Sequence, residues 1–352
     1  MAIQLDIGGR RVGPGEPVYI VAEMSANHNG DYQQAVDILR AAKDAGADAV
    51  KLQTYTPDTM TIRHAGEGFI VGPGTLWEGR NLYELYAEAF TPWQWQKDLR
   101  DEAKRLGLGF LSTAFDESAV DFLEGLEVPV HKVASFEIVD LPLIRRMAAT
   151  GKPLIMSTGM STEAEVREAV ETARAGGSGD ILLLKCTSAY PAPPSEMNLA
   201  TMAALAQTFG VAVGLSDHTL GHAVAVAAVA LGACMVEKHF TLSRKVKGPD
   251  SAFSMEPAEL AEMVRAIRIA EAAIGRVKYG AGEAEEKSKV FRRSLYVVSD
   301  VKAGEALTEK NVRAIRPGFG MHTRHLTEVL GHRAARDLST GSPLDWSMVR
   351  RD

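Results

Sequence analysis

The sequence predicts an α/β protein whose main part is a closed (β/α)8 barrel, the TIM-barrel fold, followed by a small β-rich domain. Three observations lead to this prediction: eight short apolar segments resemble strands, amphipathic segments separate them, and polar or ionisable residues end several strands. Continuous apolar runs are typical of parallel strands buried on both faces, and eight of them alternating with helices favour closure. Because a TIM barrel carries its active site at the carboxyl ends of its strands, the pattern also locates the chemistry.

The predicted barrel follows a short N-terminal segment, residues 2–17, whose glycine-containing turns indicate a β-hairpin that caps the barrel bottom. Between the predicted strands, residues 34–45, 93–106 and 162–175 carry apolar side chains at the three- and four-residue spacing of amphipathic helices. The eight strands are expected at about 18–23, 49–55, 109–113, 130–135, 153–158, 181–187, 211–217 and 235–240.

The connection after the second strand, residues 57–79, is long and irregular. It shows little periodicity and holds five glycines. A long loop on the C-terminal side of a barrel strand is a candidate lid or specificity element, and a disordered insertion is the alternative.

We place the barrel domain at residues 1–279, a linker at 280–290 and the β-rich domain at 291–352. The linker is charged and glycine-containing, which is typical of a domain boundary. About 60 residues make a marginal hydrophobic core, so docking onto another surface, including a partner subunit, would stabilise the small domain.

Composition restricts the class of function. Apolar residues are 46% and charged residues 24% of the 352 residues, as in a soluble globular protein. With no apolar run of about 20 residues and no secretory signal pattern, we expect no membrane role and a cytoplasmic location. The net charge of −6 disfavours a nucleic-acid partner, whereas a local cluster of cations could still bind a small anion. Cys186 and Cys234 lie in apolar segments and are expected as reduced core residues.

Two histidines lie at the ends of the last two predicted strands. His218 directly follows the seventh strand, in the segment LSDHT, and His239 lies near the end of the eighth, in VEKHFT. Side chains alternate along a strand, so Ser216 shares a face with His218, and Glu237 shares one with His239. Two imidazoles on adjacent strand ends could share Mn²⁺, Mg²⁺ or Zn²⁺ as a Lewis acid, with water and substrate oxygens completing the shell. The alternative is a pair of hydrogen-bonded barrel histidines.

Three lysines, Lys51, Lys132 and Lys185, lie in apolar strand contexts, where an ammonium group is costly unless it meets an anion. If they point into one barrel mouth, they form a trap for phosphate or carboxylate. Lys238, between Glu237 and His239, is expected on the opposite face of its strand. For any single lysine the alternative is a side chain that reaches outward to solvent.

Hydroxyl and acidic groups also follow the strands. The segment 157–159, Ser-Thr-Gly, could offer hydroxyl and backbone N–H donors to a phosphate. Glu23 and Glu137 are candidate bases or hydroxyl acceptors, with a Lys-paired structural role as the alternative for Glu137. Six apolar or aromatic residues could suggest stacking on a sugar, but we expect most of them to pack in the core or loops: Met24, Trp77, Tyr83, Tyr86, Trp93 and Trp95.

Seven segments in order resemble those of the sialic acid synthase family, and the resemblance extends over essentially the whole chain. Near residues 315–318 the C-terminal segment, IRPG, resembles the antifreeze-like (SAF) domain of that family. The seven segments are AEMSANHNG (22–30), KLQT (51–54), FLSTAFD (110–116), KVASFE (132–137), CTSAYP (186–191), GLSDHT (214–219) and EKHFT (237–241).

Within the family, the segments at 22–28, 55–59 and 82–93 are more similar to pseudaminic acid synthases than to N-acetylneuraminate synthases. The latter usually have Glu-Ile-Gly-x-Asn-His at the first position, where this chain has Met24 after Glu23. They often have Asn where this chain has Ser188. These differences argue against N-acetylmannosamine as the substrate.

The resemblance implies a transferase that condenses phosphoenolpyruvate with an open-chain amino-sugar aldehyde and water, releasing phosphate and a nine-carbon 2-keto acid for a surface glycan, such as that of flagellin. It implies a divalent metal on His218 and His239, Mn²⁺ first and Mg²⁺ or Co²⁺ as alternatives. It also implies a domain-swapped homodimer, in which Arg316 reaches the sugar end of the neighbouring barrel. By the same resemblance, Lys51, Lys132, Glu137, Ser157, Ser188 and Ser216 belong to the phosphoenolpyruvate site, and Glu23, Tyr190 and Asp250 to the sugar site, with Glu23 and Asp250 as candidates for proton transfer.

Three alternatives to a pseudaminic acid synthase stay open. The same chemistry could serve another sugar, giving legionaminic or N-acetylneuraminic acid. A Schiff-base aldolase would use a strand-end lysine as nucleophile and no metal. A non-enzymatic sugar-binding protein would have little need for so many ionisable strand ends.

Overall fold

The computed structural model describes residues 4–350, which form two compact units that meet in sequence between Gly275 and Arg276. The boundary lies a few residues before the linker expected at 280–290. Residues 2 and 3 of the expected hairpin and the last two residues of the small domain lie outside the described residues.

The first unit opens with an antiparallel hairpin of strands β1 (Leu5–Ile7) and β2 (Arg10–Val12). Gly8 and Gly9 form its turn with φ of +63° and +87°, a left-handed backbone that glycine adopts without steric cost. Leu5, Ile7 and Val12 are buried in a cluster with residues near the N-terminal ends of the barrel strands. The hairpin therefore closes the bottom of the barrel, as predicted.

Eight parallel strands form a closed barrel, in which the last strand pairs with the first and Glu237 lies beside Val21. This confirms the predicted fold class, and each observed strand end lies within two residues of the predicted one. The strands are β3 (Tyr19–Glu23), β4 (Ala49–Thr54), β5 (Gly109–Ala114), β6 (His131–Val133), β7 (Leu154–Ser157), β8 (Ile181–Cys186), β9 (Ala212–Asp217) and β10 (Met235–His239).

Helices between the strands bury their apolar faces against the outside of the barrel, where the larger hydrophobic core lies. Several begin at a side chain that accepts backbone N–H groups of the first turn: Asp31, Asp116 and Thr162. The helices are α1 (Tyr32–Asp44), α2 (Pro57–Met60), α3 (Leu82–Ala89), α4 (Trp93–Arg105), α5 (Glu117–Gly125), α6 (Leu141–Ala148), α7 (Glu163–Ala175), α8 (Thr201–Phe209), α9 (Ala223–Ala230) and α10 (Pro257–Ile274).

The long connection after β4 has structure of its own. It contains the short helix α2 and a 3-10 turn at Glu67–Phe69. An antiparallel bridge between Ile70 and Asn81 then brings its two ends together just before α3. Residues 71–80 therefore form a loop that is closed at its base, and the tip of this loop can contact other parts of the barrel.

The second unit carries helix α11 (Glu283–Glu286) and a small β structure with its own core. Strands β11 (Ser294–Val297) and β12 (Val312–Ile315) pair in antiparallel orientation. After helix α12 (Leu326–Val329), strands β13 (Arg333–Ala334) and β14 (Val349–Arg350) form a second antiparallel pair. Leu295, Val297 and Leu307 are among its fully buried side chains.

Among residues 4–350, no helix combines the length and the apolar character needed to cross a membrane.

Candidate active site

A cluster of buried charges lies inside the barrel near the carboxyl ends of its strands. Lys51 Nζ lies 2.7 Å from Glu23 Oε2 and 3.6 Å from Glu237 Oε1. It also donates to Thr113 Oγ1 at 3.2 Å, and Ser216 Oγ donates to Glu237 Oε1 at 3.1 Å. Five consecutive strands of the barrel, β9, β10, β3, β4 and β5, thus direct polar side chains into the interior, where charges persist only when paired.

The pKa values in this cluster follow from burial and its charges. Burial raises the pKa of Glu23, and Glu237 adds to that effect, against the opposing ammonium group of Lys51. Burial alone would also raise the pKa of Glu237, but Lys132 and Lys51 outweigh it and leave this pKa lowered. The two carboxyl groups therefore differ: Glu237 stays ionised, whereas Glu23 binds a proton more readily.

Lys132 is the second buried cation of the interior. Its Nζ donates to Ser157 Oγ at 2.6 Å and to the Val133 carbonyl at 2.9 Å. Burial lowers the pKa of this ammonium group. Among the described residues, Lys132 donates hydrogen bonds only to uncharged oxygen atoms. An anion that binds here would therefore pair with an ammonium group whose charge no carboxylate hydrogen-bonded to it neutralises.

The other two lysines of the predicted strands lie on the outer face of the barrel wall. Lys185 donates to the Cys186 carbonyl at 2.6 Å, and its neighbours on that face pack against the helices. The hypothesis of a three-lysine trap is therefore wrong for Lys185, because alternation along β8 turns it away from the interior. Lys238 also faces outward, as predicted, and its Nζ pairs with Asp217 Oδ2 at 2.7 Å.

His218 and His239 lie side by side at the mouth, with ring centroids 5.4 Å apart. His218 Nδ1 lies 2.9 Å from the Thr187 carbonyl, an acceptor that requires the ring to donate from Nδ1. The neutral ring then carries its lone pair on Nε2. His239 Nδ1 is buried and has no hydrogen-bond partner among the described residues.

The histidine pair fits a divalent metal. Burial, together with His218 and two nearby lysines, lowers the pKa of His239 well below the usual range, so this imidazole is neutral and able to ligate. The carbonyl behind His218 is the kind of outer partner that orients ligating histidines. Within residues 4–350 no group of three or more His, Cys, Asp or Glu side chains forms a metal cage. The donor set is thus two imidazoles, which leaves positions for water and substrate oxygens.

Small residues form a cradle beside Lys132. Gly159 N donates to Ser135 Oγ at 3.1 Å, and a Cβ atom at Gly159 would lie 2.3 Å from Ser188 Oγ and 2.7 Å from Ser135 Oγ. Only glycine, which has no Cβ atom, lets these two hydroxyl groups approach the backbone so closely. The hydroxyls of Ser135, Ser157 and Ser188 and the ammonium group of Lys132 form a set of donors suited to a phosphate.

Glu137 lies in the 3-10 turn that follows β6, Glu137–Val139, and lines a cleft of about 520 Å³. Its Oε2 is buried with no hydrogen-bond partner among the described residues, and burial raises its pKa to about 7. Among the described residues, no lysine forms an ion pair with this carboxyl group. The geometry therefore does not favour the alternative in which Glu137 has a structural role paired with a lysine.

Asp250 is held from the opposite side of the mouth, in the connection between β10 and α10. Its Oδ2 accepts from Ser25 Oγ at 2.5 Å and from Ala26 N at 3.2 Å. Gln53 Nε2 donates to the same Ser25 hydroxyl at 2.9 Å and to Glu23 Oε1 at 3.3 Å. A continuous chain of hydrogen bonds therefore links Asp250 to Glu23, the two candidates for proton transfer.

Aromatic rings cover one side of the histidine pair. The Tyr190 ring lies 4.3 Å from that of His218, and the Phe253 ring lies 4.9 Å from that of His239, measured between centroids. Trp77, from the long connection after β4, lies 5.5 Å from Tyr190. The fold of that loop brings Trp77 to the mouth, so the packing expected for it in the core or a loop occurs beside the histidine pair.

The structure brings the predicted barrel residues of the site to one mouth, except that Glu137 lines a cleft without the others. Arg316 belongs to the second unit, directly after β12. It also adds residues that the sequence analysis did not assign to the site. Glu237 could have been found, because it precedes His239 by two residues on the same face of the strand. Phe253 had no comparable signal, because it lies in a loop. The added residues are Ser25, Gln53, Trp77, Ser135, Glu237 and Phe253.

Two family models match the chain. The NeuB family model matches residues 38–279, and the SAF domain model matches residues 292–350. These matches confirm the resemblance stated from the sequence motifs.

Relatives of known name match nearly the whole chain. Pseudaminic acid synthase of Helicobacter pylori is 45% identical over 96% of this chain and 99% of its own. N,N'-diacetyllegionaminic acid synthase of Legionella pneumophila is 37% identical over 94% of both chains. The crystal structure of spore coat polysaccharide biosynthesis protein SpsE from Bacillus subtilis, 33% identical, covers 99% of both chains with a TM-score of 0.67. With a catalytic barrel matched over most of its length and a matched C-terminal domain, this chain belongs to the NeuB family and carries an SAF domain.

Proposed function

We propose that the protein is a pseudaminic acid synthase. It condenses phosphoenolpyruvate with 2,4-diacetamido-2,4,6-trideoxy-L-altrose and water, giving pseudaminic acid and phosphate. Three curated pseudaminic acid synthases, one of Helicobacter pylori and two of Campylobacter jejuni, are 43–45% identical to it over at least 93% of the chain. The two diacetyllegionaminic acid synthases that match are each 37% identical, which makes legionaminate synthesis the second candidate.

The proposed type of reaction is supported by the groups that lie together at the barrel mouth. Lys132 and Ser157 form a ready anion site, the histidine pair lies beside it, and Asp250 lies across the mouth. An anion and an uncharged sugar could thus be held side by side, with His218 and His239 placed to hold a divalent metal. The ordering of both reactants lowers the barrier to bond formation between them.

Phosphoenolpyruvate binds to the polar half of the site. Lys51 and Lys132 supply positive charge, and Ser157, Ser188 and Ser216 supply hydroxyl donors, with Glu137 close by. Gly159 lets the hydroxyl groups of Ser135 and Ser188 lie close to the backbone beside the strand ends, where they could donate to the phosphate. Burial of these cations strengthens their attraction for the substrate's charges.

His218 and His239 would hold the divalent metal, Mn²⁺ in our proposal. When bound, the ion polarises the aldehyde oxygen as a Lewis acid and orients water. The residues around it bind and orient the sugar: Asp250 faces its hydroxyl and amide groups, Tyr190 packs against its apolar part, and Glu23 is linked to Asp250 through Gln53 and Ser25. Tyr190, whose ring lies 4.3 Å from that of His218 between centroids, also excludes solvent from that side.

The bond changes balance without an oxidant. Carbon 3 of phosphoenolpyruvate forms a bond to the aldehyde carbon, whose oxygen becomes a hydroxyl group by gaining a proton. Water adds at carbon 2 and loses one proton, the one that the aldehyde oxygen gains. The bond between carbon 2 and the phosphate oxygen then breaks, and the remaining hydroxyl proton at carbon 2 passes to the departing phosphate as the ketone forms. We assign the proton exchange to Glu23, with Gln53 and Ser25 connecting it to Asp250.

The test is phosphate release from phosphoenolpyruvate with Mn²⁺ present, in parallel with the trideoxy-diacetamido altrose, the corresponding legionaminate precursor and N-acetylmannosamine. Release with the altrose sugar alone supports the proposal. Release with either other sugar alone would keep the chemistry and replace the substrate. Borohydride trapping with pyruvate addresses the Schiff-base alternative, since a covalent adduct at a lysine would contradict the metal-dependent reaction.

A further inference from the structure

The mouth of the barrel is chemically two-sided. Lys51, Lys132 and the serine cradle make one side polar and charged, as described above. On the other side, the two histidine rings are backed by aromatic rings only 4.3–5.0 Å apart between centroids, from His218 to Tyr190, Tyr190 to Phe253 and Phe253 to His239. Phe253 is 2% exposed, so the base of this surface is rigidly packed.

Trp77 extends the same surface from a different part of the chain. Its ring lies 5.5 Å from Tyr190 and 6.5 Å from Phe253, between centroids. Its indole Nε1 donates to the Pro249 carbonyl at 2.9 Å, directly before Asp250. The tip of the loop after β4 is therefore tied to the loop after β10, across the side of the mouth where the sugar binds. We refer to Trp77, Tyr190 and Phe253 as the aromatic wall.

An aromatic wall and a hydroxylated sugar end are a poor match. Flat carbon surfaces gain free energy by covering methyl groups, whereas a hydroxyl group placed against them gives up hydrogen bonds to water. The indole N–H of Trp77 is already engaged with the Pro249 carbonyl, so this ring offers a sugar its carbon face. The acceptor in the proposed function ends in a methyl group at carbon 6, where N-acetylmannosamine carries a hydroxymethyl group.

We propose that the aromatic wall binds the 6-methyl end of the acceptor sugar, and that Trp77 is its main determinant of selectivity for a 6-deoxy sugar. This inference rests on the proposed function and deepens it by assigning a surface to one substituent. An apolar surface rejects an added hydroxyl group only moderately, so about 10- to 100-fold preference for the deoxy sugar is expected.

The experiment compares kcat/KM for two acceptors that differ by one oxygen: 2,4-diacetamido-2,4,6-trideoxy-L-altrose and its 6-hydroxy counterpart. The variants are Trp77→Gln, which keeps an N–H donor but loses the ring, and Trp77→Phe, which keeps a ring but loses the donor. Leu76→Ala, an adjacent exposed position in the same loop, is the matched control. Trp77 is half-exposed and lies outside both hydrophobic cores of the barrel, so the substitutions should leave the fold intact, which thermal melting checks.

We expect Trp77→Gln to lose most of the deoxy preference, Trp77→Phe to retain most of it, and Leu76→Ala to match the parent protein. The KM for phosphoenolpyruvate should change less than about twofold in all three, because the polar side of the mouth is untouched. If Trp77→Phe and Trp77→Gln both lower kcat/KM equally for the two acceptors, Trp77 only anchors its loop and the selectivity role is refuted. The same conclusion follows if the parent protein shows no deoxy preference.

Failure of the proposed function gives a different result. In that case the parent protein releases no phosphate with either altrose sugar but does so with another acceptor. If the parent protein uses the altrose sugar and only the variants behave unexpectedly, the proposed function stands and the aromatic wall alone is rejected.

Discussion

At the residue scale, the two mouth histidines differ in what surrounds their nitrogens. His218 is oriented by a carbonyl at one nitrogen, whereas His239 has a buried nitrogen without a partner among residues 4–350. A buried polar atom of this kind costs free energy unless something outside the chain binds it. A metal shared by both rings would satisfy His239 while leaving the carbonyl contact of His218 in place.

We predict that His239→Ala abolishes metal-dependent phosphate release and leaves the fold intact. The substitution removes one of the two histidines that we propose as metal ligands, and the strand is held by neighbours on both sides. Turnover with Mn²⁺, metal binding by calorimetry and thermal melting provide the measurement. His64→Ala, an exposed position, is the control. Full activity of the parent protein in excess EDTA would refute the metal role.

Two buried lysines on opposite faces of the barrel wall provide a second test. Lys132→Met should lower kcat/KM for phosphoenolpyruvate about 100-fold, because loss of a buried charged partner costs 2–5 kcal/mol of binding. Lys238→Met should instead destabilise the fold by about 3–5 kcal/mol, since it leaves Asp217 buried and unpaired. Steady-state kinetics and urea unfolding separate the two effects. Equal effects of both substitutions on kinetics would contradict the assignment of faces.

At the scale of elements, the turn after β3 depends on a neutral histidine. His28 lies in the 3-10 turn Ser25–His28, where its Nδ1 accepts from Gly30 N at 3.0 Å and its Nε2 contacts Thr91 Oγ1 at 3.2 Å. Burial lowers the pKa of His28 to about 4. A doubly protonated ring could not accept from Gly30, so acid should disrupt this turn.

We therefore predict an acid-sensitive contribution of His28 to stability. The unfolded chain binds this proton below about pH 6.5 and the folded chain only below about pH 4, so stability falls as the pH drops through that window. The shift corresponds to about 3 kcal/mol at most. Urea unfolding at pH 7 and pH 4.5 measures it. His28→Asn should be less stable at pH 7 but lose less on acidification. If its pH slope equals that of the parent protein, the contribution lies elsewhere.

Strands and loops differed in how far the sequence could predict them. Alternation in β9 and β10 was sufficient to put Ser216 and Glu237 inside the barrel and Lys238 outside. No such periodicity exists in the loops that carry Trp77 and Phe253, and their positions depend on contacts between segments far apart in sequence. Ser135 was within a recognised motif, but its role became visible only through its contact with Gly159.

At the scale of the whole molecule, the barrel mouth holds both halves of the proposed reaction, whereas Arg316 lies in the second unit. The resemblance implies that this arginine acts on the sugar of a neighbouring subunit, and this arrangement is a prediction. A small domain that contributes to a partner's site would make the dimer the catalytic unit.

We predict that Arg316→Ala raises the KM for the sugar much more than the KM for phosphoenolpyruvate. Loss of one charge-assisted contact costs 1.5–3 kcal/mol, so about a 10- to 100-fold effect is expected. Arg313→Ala, an exposed arginine in β12, is the control. An equal change in both KM values would indicate a structural role for Arg316.

Mixed dimers then test the shared site. Co-expression of an Arg316→Ala chain with a His239→Ala chain should restore activity, because each mixed dimer contains one barrel with intact His239 and one intact Arg316 facing it. With random pairing, about a quarter of all sites should recover. If mixed dimers remain as inactive as the His239→Ala protein, the domain-swapped arrangement is rejected.

The outward pair of Asp217 and Lys238 has a consequence for how the barrel is assembled. Its neighbours one residue away, Ser216 and Glu237, point inward, so a shift of β10 by a single residue would exchange the two faces. Lys238 would then enter the interior, and Glu237 would be stranded without a counter-ion among the apolar helices. The pair therefore favours the native register of β10, because a barrel with the shifted register would bury unpaired charges and would be less stable than the native one.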